Sequence, residues 1–260
     1  MSPYLAEFIG TTLLILFGNG VVANVLLAKT KGHGSGWIVI SAGWGIAVFV
    51  GAFCADKYSG AHLNPAVTLA MLIAGKTSAI AAIGYAIAQF LGAIFGAFLV
   101  YIFYCQHFVA TESSDDKLAC FCTGANIRNH TQSVICEAIG TYALILPIFL
   151  MVAPSLETSP MIPEGKLMVI GIPETKIGLG TLGLLPVGLL VFGIGLSLGG
   201  TTGYAINPVR DLGPRIVHAI LPIPGKRDSD WGYAWVPVVG PLIGAALAAL
   251  TFLALNAVKL

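Results

Sequence analysis

Charge is scarce in this sequence. Lys, Arg, Asp and Glu together supply 10% of the 260 residues, where a soluble domain carries about 25%. A water-covered exterior needs more than that, so most of the surface must face lipid, and the mean hydropathy of +0.88 agrees. The formal net charge is only +1, which excludes an electrostatic case for nucleic acid or a strongly charged partner. Cysteine is sparse and odd in number: Cys54, Cys105, Cys120, Cys122 and Cys136 cannot all pair in a disulfide framework. A nucleophile–base pair and a metal-binding constellation are also missing, so neither an enzyme nor a cofactor is expected. A cleavable signal peptide is not expected either, because the first apolar run reaches about Ala28, too long for a signal h-region. Both tails are short, so a large regulatory tail domain is not expected.

Long apolar runs are what the sequence has in abundance. Crossing roughly 30 Å of hydrocarbon takes about 20 apolar residues in a helix. Six segments qualify, at about 4–28, 37–56, 79–104, 132–153, 179–199 and 232–257. Polar loops lie at about 29–36, 105–131 and 154–178, the last rich in Pro and Gly and expected to be irregular. Two further apolar segments, at about 64–75 and 207–219, open with Asn-Pro and are too short to cross. Each would be only about 18 Å long as a helix. Meeting end to end near the midplane, the two would together fill one bilayer.

The chain repeats itself. Glu7-Phe8-Ile9-Gly10-Thr11 returns as Glu137-Ala138-Ile139-Gly140-Thr141, and Gly60-Ala61-His62-Leu63-Asn64-Pro65-Ala66 as Gly203-Tyr204-Ala205-Ile206-Asn207-Pro208-Val209. An odd number of spans per half turns the second half over, giving an inverted repeat with a site expected at the repeat interface. The fold class is therefore an all-α membrane protein with six transmembrane helices and two half-helices. It reads as one channel domain over 1–260, with repeats at about 1–105 and 132–260 and a connecting loop at about 106–131. Small residues four apart, Ala88, Gly92 and Gly96, then Gly240, Gly244 and Ala248, read as sites of close helix packing. The Lys and Arg distribution over the loops gives no clean orientation.

The Asn-Pro pairs carry the chemistry. Asn is a strong N-cap because its side-chain oxygen accepts an orphan N–H of the first turn, and Pro suits the next position, where no N–H is needed. The cap leaves the Asn64 and Asn207 amide groups as donors that converge in the lumen, ready for the oxygen of a water or an alcohol. Two half-helix N-termini add positive potential at the same point, which repels cations and hydrated protons and lets neutral molecules pass. The stretches before each Asn, Gly60, Ala61, His62 and Leu63, and Thr201, Thr202 and Gly203 onwards, cannot be helical up to the cap. Non-helical backbone at membrane depth must be buried or line a watery cavity, so their carbonyls are expected as an acceptor ladder on the pore wall. Glu7 and Glu137 are placed to accept the loop N–H groups from behind. Arg210, in the first turn of the second half-helix, is too costly to face lipid and is expected in the lumen as a fixed cation and planar donor. His62 has no nearby carboxylate and reads as a wall residue. Cys105, Cys120 and Cys122 read as free thiols, with a disulfide or a loop metal site as lesser readings, and Asn129-His130-Thr131 is a glycosylation sequon.

With both Asn-Pro motifs, the Glu-x-x-Gly-Thr openings and Asn207-Pro208-Val209-Arg210-Asp211 in place, the chain resembles the major intrinsic protein family over essentially its whole length. Within that family it is most similar to the glycerol facilitators, or aquaglyceroporins, whose first motif Ser59–Thr68 follows closely; Val209 departs from their usual Ala. The resemblance implies a narrow filter at Trp44, Gly195, Tyr204 and Arg210. Gly195 stands where water-selective members carry His, and it leaves room for Tyr204, which replaces the usual Phe. Trp44 and Tyr204 would then hold a CH2 backbone while Arg210 and loop carbonyls hold hydroxyls, a slot suited to a linear polyol. Asp211 and Arg215, four apart and able to pair, follow the polyol-conducting pattern, as do Tyr104 and Pro237; Val238 replaces a more usual Leu. The resemblance further implies a homotetramer in a lipid bilayer of the cell membrane, both termini cytoplasmic, one pore per protomer. Transport of glycerol, water and small neutral solutes such as urea would be passive, without a cofactor. The other readings are a mainly water-selective channel and a structural membrane protein with a vestigial pore.

Overall fold

The computed structural model describes residues 1–152, 155–158 and 175–257. Among them six helices are long and apolar enough to cross a membrane. Helix α1 (Pro3–Leu26) starts at Ser2, whose hydroxyl accepts the Leu5 N–H, with Pro3 in the first turn. Helix α2 (Trp37–Ser59) ends where Gly60 turns left-handed at φ 78° and returns its N–H to the Asp56 carbonyl. Helix α3 (Pro65–Ile73) is the first half-helix. It is shorter than 64–75 because left-handed Gly75 closes it, with Gly75 N–H on Leu72 O and Lys76 N–H on Met71 O.

Helix α4 (Ala79–Ala110) runs well past the expected end at 104, and its 32 residues reach about 48 Å. The connecting loop is not wholly irregular, since Ser113 caps a short helix α5 (Ser114–Ala119) and Asp115 and Asp116 sit in its positive first turn. Helix α6 (His130–Leu150) opens the second half at the Asn129 cap. Most of 154–178 lies outside the described residues, but its edges are regular: β1 (Ser155–Thr158) pairs antiparallel with β2 (Thr175–Gly178). This small ribbon is the one departure from an all-α fold among the described residues. A 3-10 turn at Gly180–Leu184 leads into α7 (Leu185–Leu198), followed by the second half-helix α8 (Pro208–Ile220) and α9 (Val236–Ala257). Half-helices of 9 and 13 residues add up to about 33 Å, one hydrocarbon thickness.

Packing follows the repeat. Helix α1 lies on α4 as α6 lies on α9, while each half-helix packs on the third span of the other half, α3 on α9 and α8 on α4. Glycine permits the first two approaches. A methyl group at Gly92 would stand 2.5 Å from the Phe8 carbonyl oxygen, and one at Gly240 would stand 2.6 Å from Glu137 Cβ. Backbones this close gain dispersion contact and interhelical polar contact in lipid, where no hydrophobic drive between helices exists. The outer face carries exposed apolar side chains at helical spacing, such as Ile80, Ile83, Ile87 and Leu91 on α4, which a bilayer would cover.

Candidate functional site

The half-helices meet through their caps. Asn64 Oδ1 accepts the Ala66 N–H at 2.8 Å, and Asn207 Oδ1 accepts the Val209 and Arg210 N–H groups at 3.2 and 3.4 Å. The amide nitrogens are only partly as expected. Asn64 Nδ2 donates to the Ile206 carbonyl at 2.8 Å, and Asn207 Nδ2 donates to the Leu63 carbonyl at 3.0 Å. One hydrogen of each amide thus ties the halves together, and the Leu63 and Ile206 carbonyls are already engaged rather than open. Each amide has a second hydrogen, and both Asn residues line the inner cavity.

The loops before the caps run through left-handed backbone at matching positions. Gly60, Ala61 and Leu63 have φ of 78°, 49° and 51°; Gly203, Tyr204 and Ile206 have 81°, 37° and 44°. Such values cost a side-chain-bearing residue about 1–3 kcal/mol each, so the surroundings must impose them. Two buried carboxylates do so. Glu7 Oε1 accepts Ser59 Oγ and the His62 N–H, at 2.5 and 2.9 Å; its Oε2 accepts the Leu63 N–H and Gln89 Nε2, at 2.7 and 2.8 Å. Glu137 Oε1 accepts Thr202 Oγ1 and the Ala205 N–H, and Oε2 accepts the Ile206 N–H, at 2.6, 3.0 and 2.8 Å. Each carboxyl group thus gathers the N–H and hydroxyl donors that its loop turns towards it.

Two cavities open on this centre and share Trp44, Tyr204 and Arg210. The inner one is lined by loop residues Gly60–Leu63 and Tyr204–Ile206 together with apolar residues such as Val48, Leu144, Ile148 and Val191. The vestibule reaches Cys122–Gly124 and Gly203. Where the two cavities meet, the Arg210 guanidinium carbon lies 4.1 Å from the Trp44 ring centre. Arg210 Nη1 and the Tyr204 hydroxyl are buried and have no partner among the described residues. Gly195 sits behind the Tyr204 ring, and a methyl group there would be 2.9 Å from Tyr204 Cζ and from Ser41 Oγ.

Other sequence-selected residues fall around this centre. His62 lines the inner cavity, with Nδ1 3.1 Å from Thr68 Oγ1. Thr201 and Thr202 stand beside the cavities: the Thr201 carbonyl accepts the Asn126 N–H and Thr202 turns to Glu137. Pro65, Ala66, Pro208 and Val209 form the first turns of the half-helices. Asp211 and Arg215 make a fully buried ion pair at 2.7 Å. Arg215 also donates to the Thr123 and Ser229 carbonyls, while Asp211 accepts the Thr123 N–H and hydroxyl, so the pair pins the vestibule loop. Tyr104 packs beside Phe103 and His107 away from the constriction, and Pro237 and Val238 lie in the first turn of α9. Cys105 is exposed, Cys120 and Cys122 are buried, and all are free thiols. Burial pushes the Cys120 and Cys122 thiols up, so they stay protonated. Sequence reading missed Gln89, Thr123, Ser41 and Trp37. A lone amide in the middle of apolar α4 was the available signal for Gln89.

The family model described as major intrinsic protein matches residues 1–252. A probable glycerol uptake facilitator from Thermotoga maritima is 51% identical over 249 residues, 96% of this chain and 97% of that protein. The glycerol uptake facilitator of Streptococcus pneumoniae is 50% identical over 252 residues, covering 97% of this chain and 98% of that one. The solved aquaglyceroporin of Plasmodium falciparum matches with a TM-score of 0.74 at 29% identity, covering 96% of this chain and 93% of that one. On sequence and fold alike, the chain belongs to the major intrinsic protein family and is a multi-pass membrane protein.

Proposed function

We propose that the chain is a passive channel for glycerol that also conducts water and other small neutral solutes, urea among them, and excludes ions and protons. The observation that carries this reading is the place where the two cavities meet: Trp44 and Tyr204 beside buried Arg210, whose Nη1 has no partner among the described residues. A linear polyol is amphipathic, so its CH edge fits the rings while its hydroxyls accept from the guanidinium and donate to loop carbonyls. Gly195 supports a slot wide enough for a carbon chain, because it gives the Tyr204 ring its seat. The names of the bacterial relatives, glycerol uptake facilitators, agree.

Exclusion of charge rests on the half-helix N-termini at Asn64 and Asn207 and on the fixed charge of Arg210, all of one sign. A cation at the constriction would lose hydration and meet positive potential. In this proposal the protein works as a homotetramer in a cell-membrane bilayer, with one pore per protomer and both termini cytoplasmic.

Stopped-flow light scattering on proteoliposomes tests the reading. Shrinkage in an impermeant osmolyte reports water, and re-swelling in glycerol reports solute flux. Fast re-swelling is expected. Fast water flux without glycerol flux would replace this reading with a water-selective channel closed by Tyr204.

A further inference from the structure

We infer that Trp37 is a positioning residue for the Tyr204 ring and thereby sets the width of the constriction. The inference rests on the solute-channel reading above. Tyr204 is one wall of the slot: its hydroxyl has no partner among the described residues, and its backbone sits at φ 37°. The Ala205 and Ile206 N–H groups donate to Glu137 and hold the neighbouring backbone, but they leave the ring itself to packing.

Trp37 supplies one side of that packing, beside Gly195 and Gly199. It opens α2, four residues before Ser41 and seven before Trp44, so all three lie on one stripe of the helix. Its indole Nε1 donates to the Gly195 carbonyl at 2.8 Å, which locks the ring to the end of α7. In that position the indole meets the Tyr204 ring edge to face, with centroids 5.8 Å apart and planes at 78°. Gly199 closes the seat, since a methyl group there would stand 2.7 Å from Trp37 Cζ2 and would overlap Tyr204 Cδ1. Trp37 is 41% exposed and lines the vestibule. Removing the indole therefore opens space on the vestibule side, into which the Tyr204 ring can turn away from Arg210.

The prediction concerns selectivity rather than throughput. Trp37→Ala raises the ratio of erythritol to glycerol permeability by roughly 2- to 10-fold, the weight of one aromatic pair, with a smaller change for water. Trp37→Phe keeps an edge for Tyr204 and stays near the parent ratio. In a Tyr204→Ala background, Trp37→Ala adds no further change, because the ring it positions is gone. All are measured by stopped-flow light scattering on proteoliposomes, as ratios that do not depend on how much channel is incorporated. Equal loss of water, glycerol and erythritol permeability in Trp37→Ala, or effects of the two substitutions that multiply independently, would overturn the inference. Absence of glycerol flux in the parent protein would sink the polyol reading alone, and the same coupling is then read from urea-to-water ratios in the same variants.

Discussion

Asn64 reaches across the chain to donate to the Ile206 carbonyl, the residue just before the Asn207 cap, and Asn207 returns the bond to Leu63. Each helix cap is thus also a clasp on the opposite repeat. The two half-helices are held end to end by these bonds, and the unwound loops of both repeats are brought to one cavity.

Replacing the donor tests that clasp. Asn64→Asp keeps the oxygen that caps Ala66 but sets an oxygen against the Ile206 carbonyl. A loss of about 1–3 kcal/mol is expected from the broken buried bond, with a parallel loss in Asn207→Asp. Thermal unfolding in detergent reads this; parent-like stability in both variants would show that the amide bonds are incidental.

Glu7 and Glu137 accept the N–H groups of loops held in left-handed backbone. Glu7→Gln turns one acceptor into a donor facing loop N–H groups and orphans them, at about 1–3 kcal/mol for each. Gln89→Met removes only one of the four donors on Glu7. The expected order of melting temperature is parent, Gln89→Met, then Glu7→Gln, with solute flux falling in the same order. The reverse order would mean that Gln89, rather than the carboxylate, organises the loop.

Gly195 has no free space for a side chain, since Ser41 and Tyr204 already occupy it. Gly195→His must push Tyr204 into the slot, so glycerol flux falls far more than water flux. Equal loss of both in proteoliposomes would remove Gly195 from the filter.

The ion pairs differ by burial. Arg215→Met strands the fully buried Asp211 carboxylate and is expected to cost about 3–5 kcal/mol, loosening the vestibule loop at Thr123. Arg128 pairs with Asp230 on the loop before α9 with 47% of its side chain exposed, so Arg128→Ala should cost less than about 1 kcal/mol. Thermal melts of both variants against pH separate them.

That surface pair carries a pH signature. The hydrogen bond from Arg128 holds the Asp230 carboxyl below its ordinary 3.8. A depressed carboxyl contributes stability that is complete above the unfolded value and fades as pH falls through the folded one. Arg128→Ala therefore flattens the acid limb of the stability curve below about pH 4. An unchanged acid limb would assign it to other carboxylates.

Much of this protein could be read from local pattern. Apolar run length set the six spans, Asn-Pro set both half-helix starts, and the repeated Glu-x-x-Gly-Thr set the two buried carboxylates in matching places. Segment ends were less legible. The stop of α3 depends on a glycine turn, and the extension of α4 to Ala110 carries Phe108 onto Phe121 of the connecting loop. Neither leaves a mark in hydropathy.

What the sequence determined by itself is membrane embedding, the inverted repeat and the caps, because these follow from rules that act within a few residues. Only the tertiary structure decided the rest: the crossed Asn64–Ile206 and Asn207–Leu63 bonds, the left-handed backbone at Tyr204 and Ile206, the Trp44–Arg210 stack and the Trp37 seat for Tyr204. Each joins residues far apart in the chain. Local preference opposes several of them, so they exist only where helix packing has already brought the partners within reach.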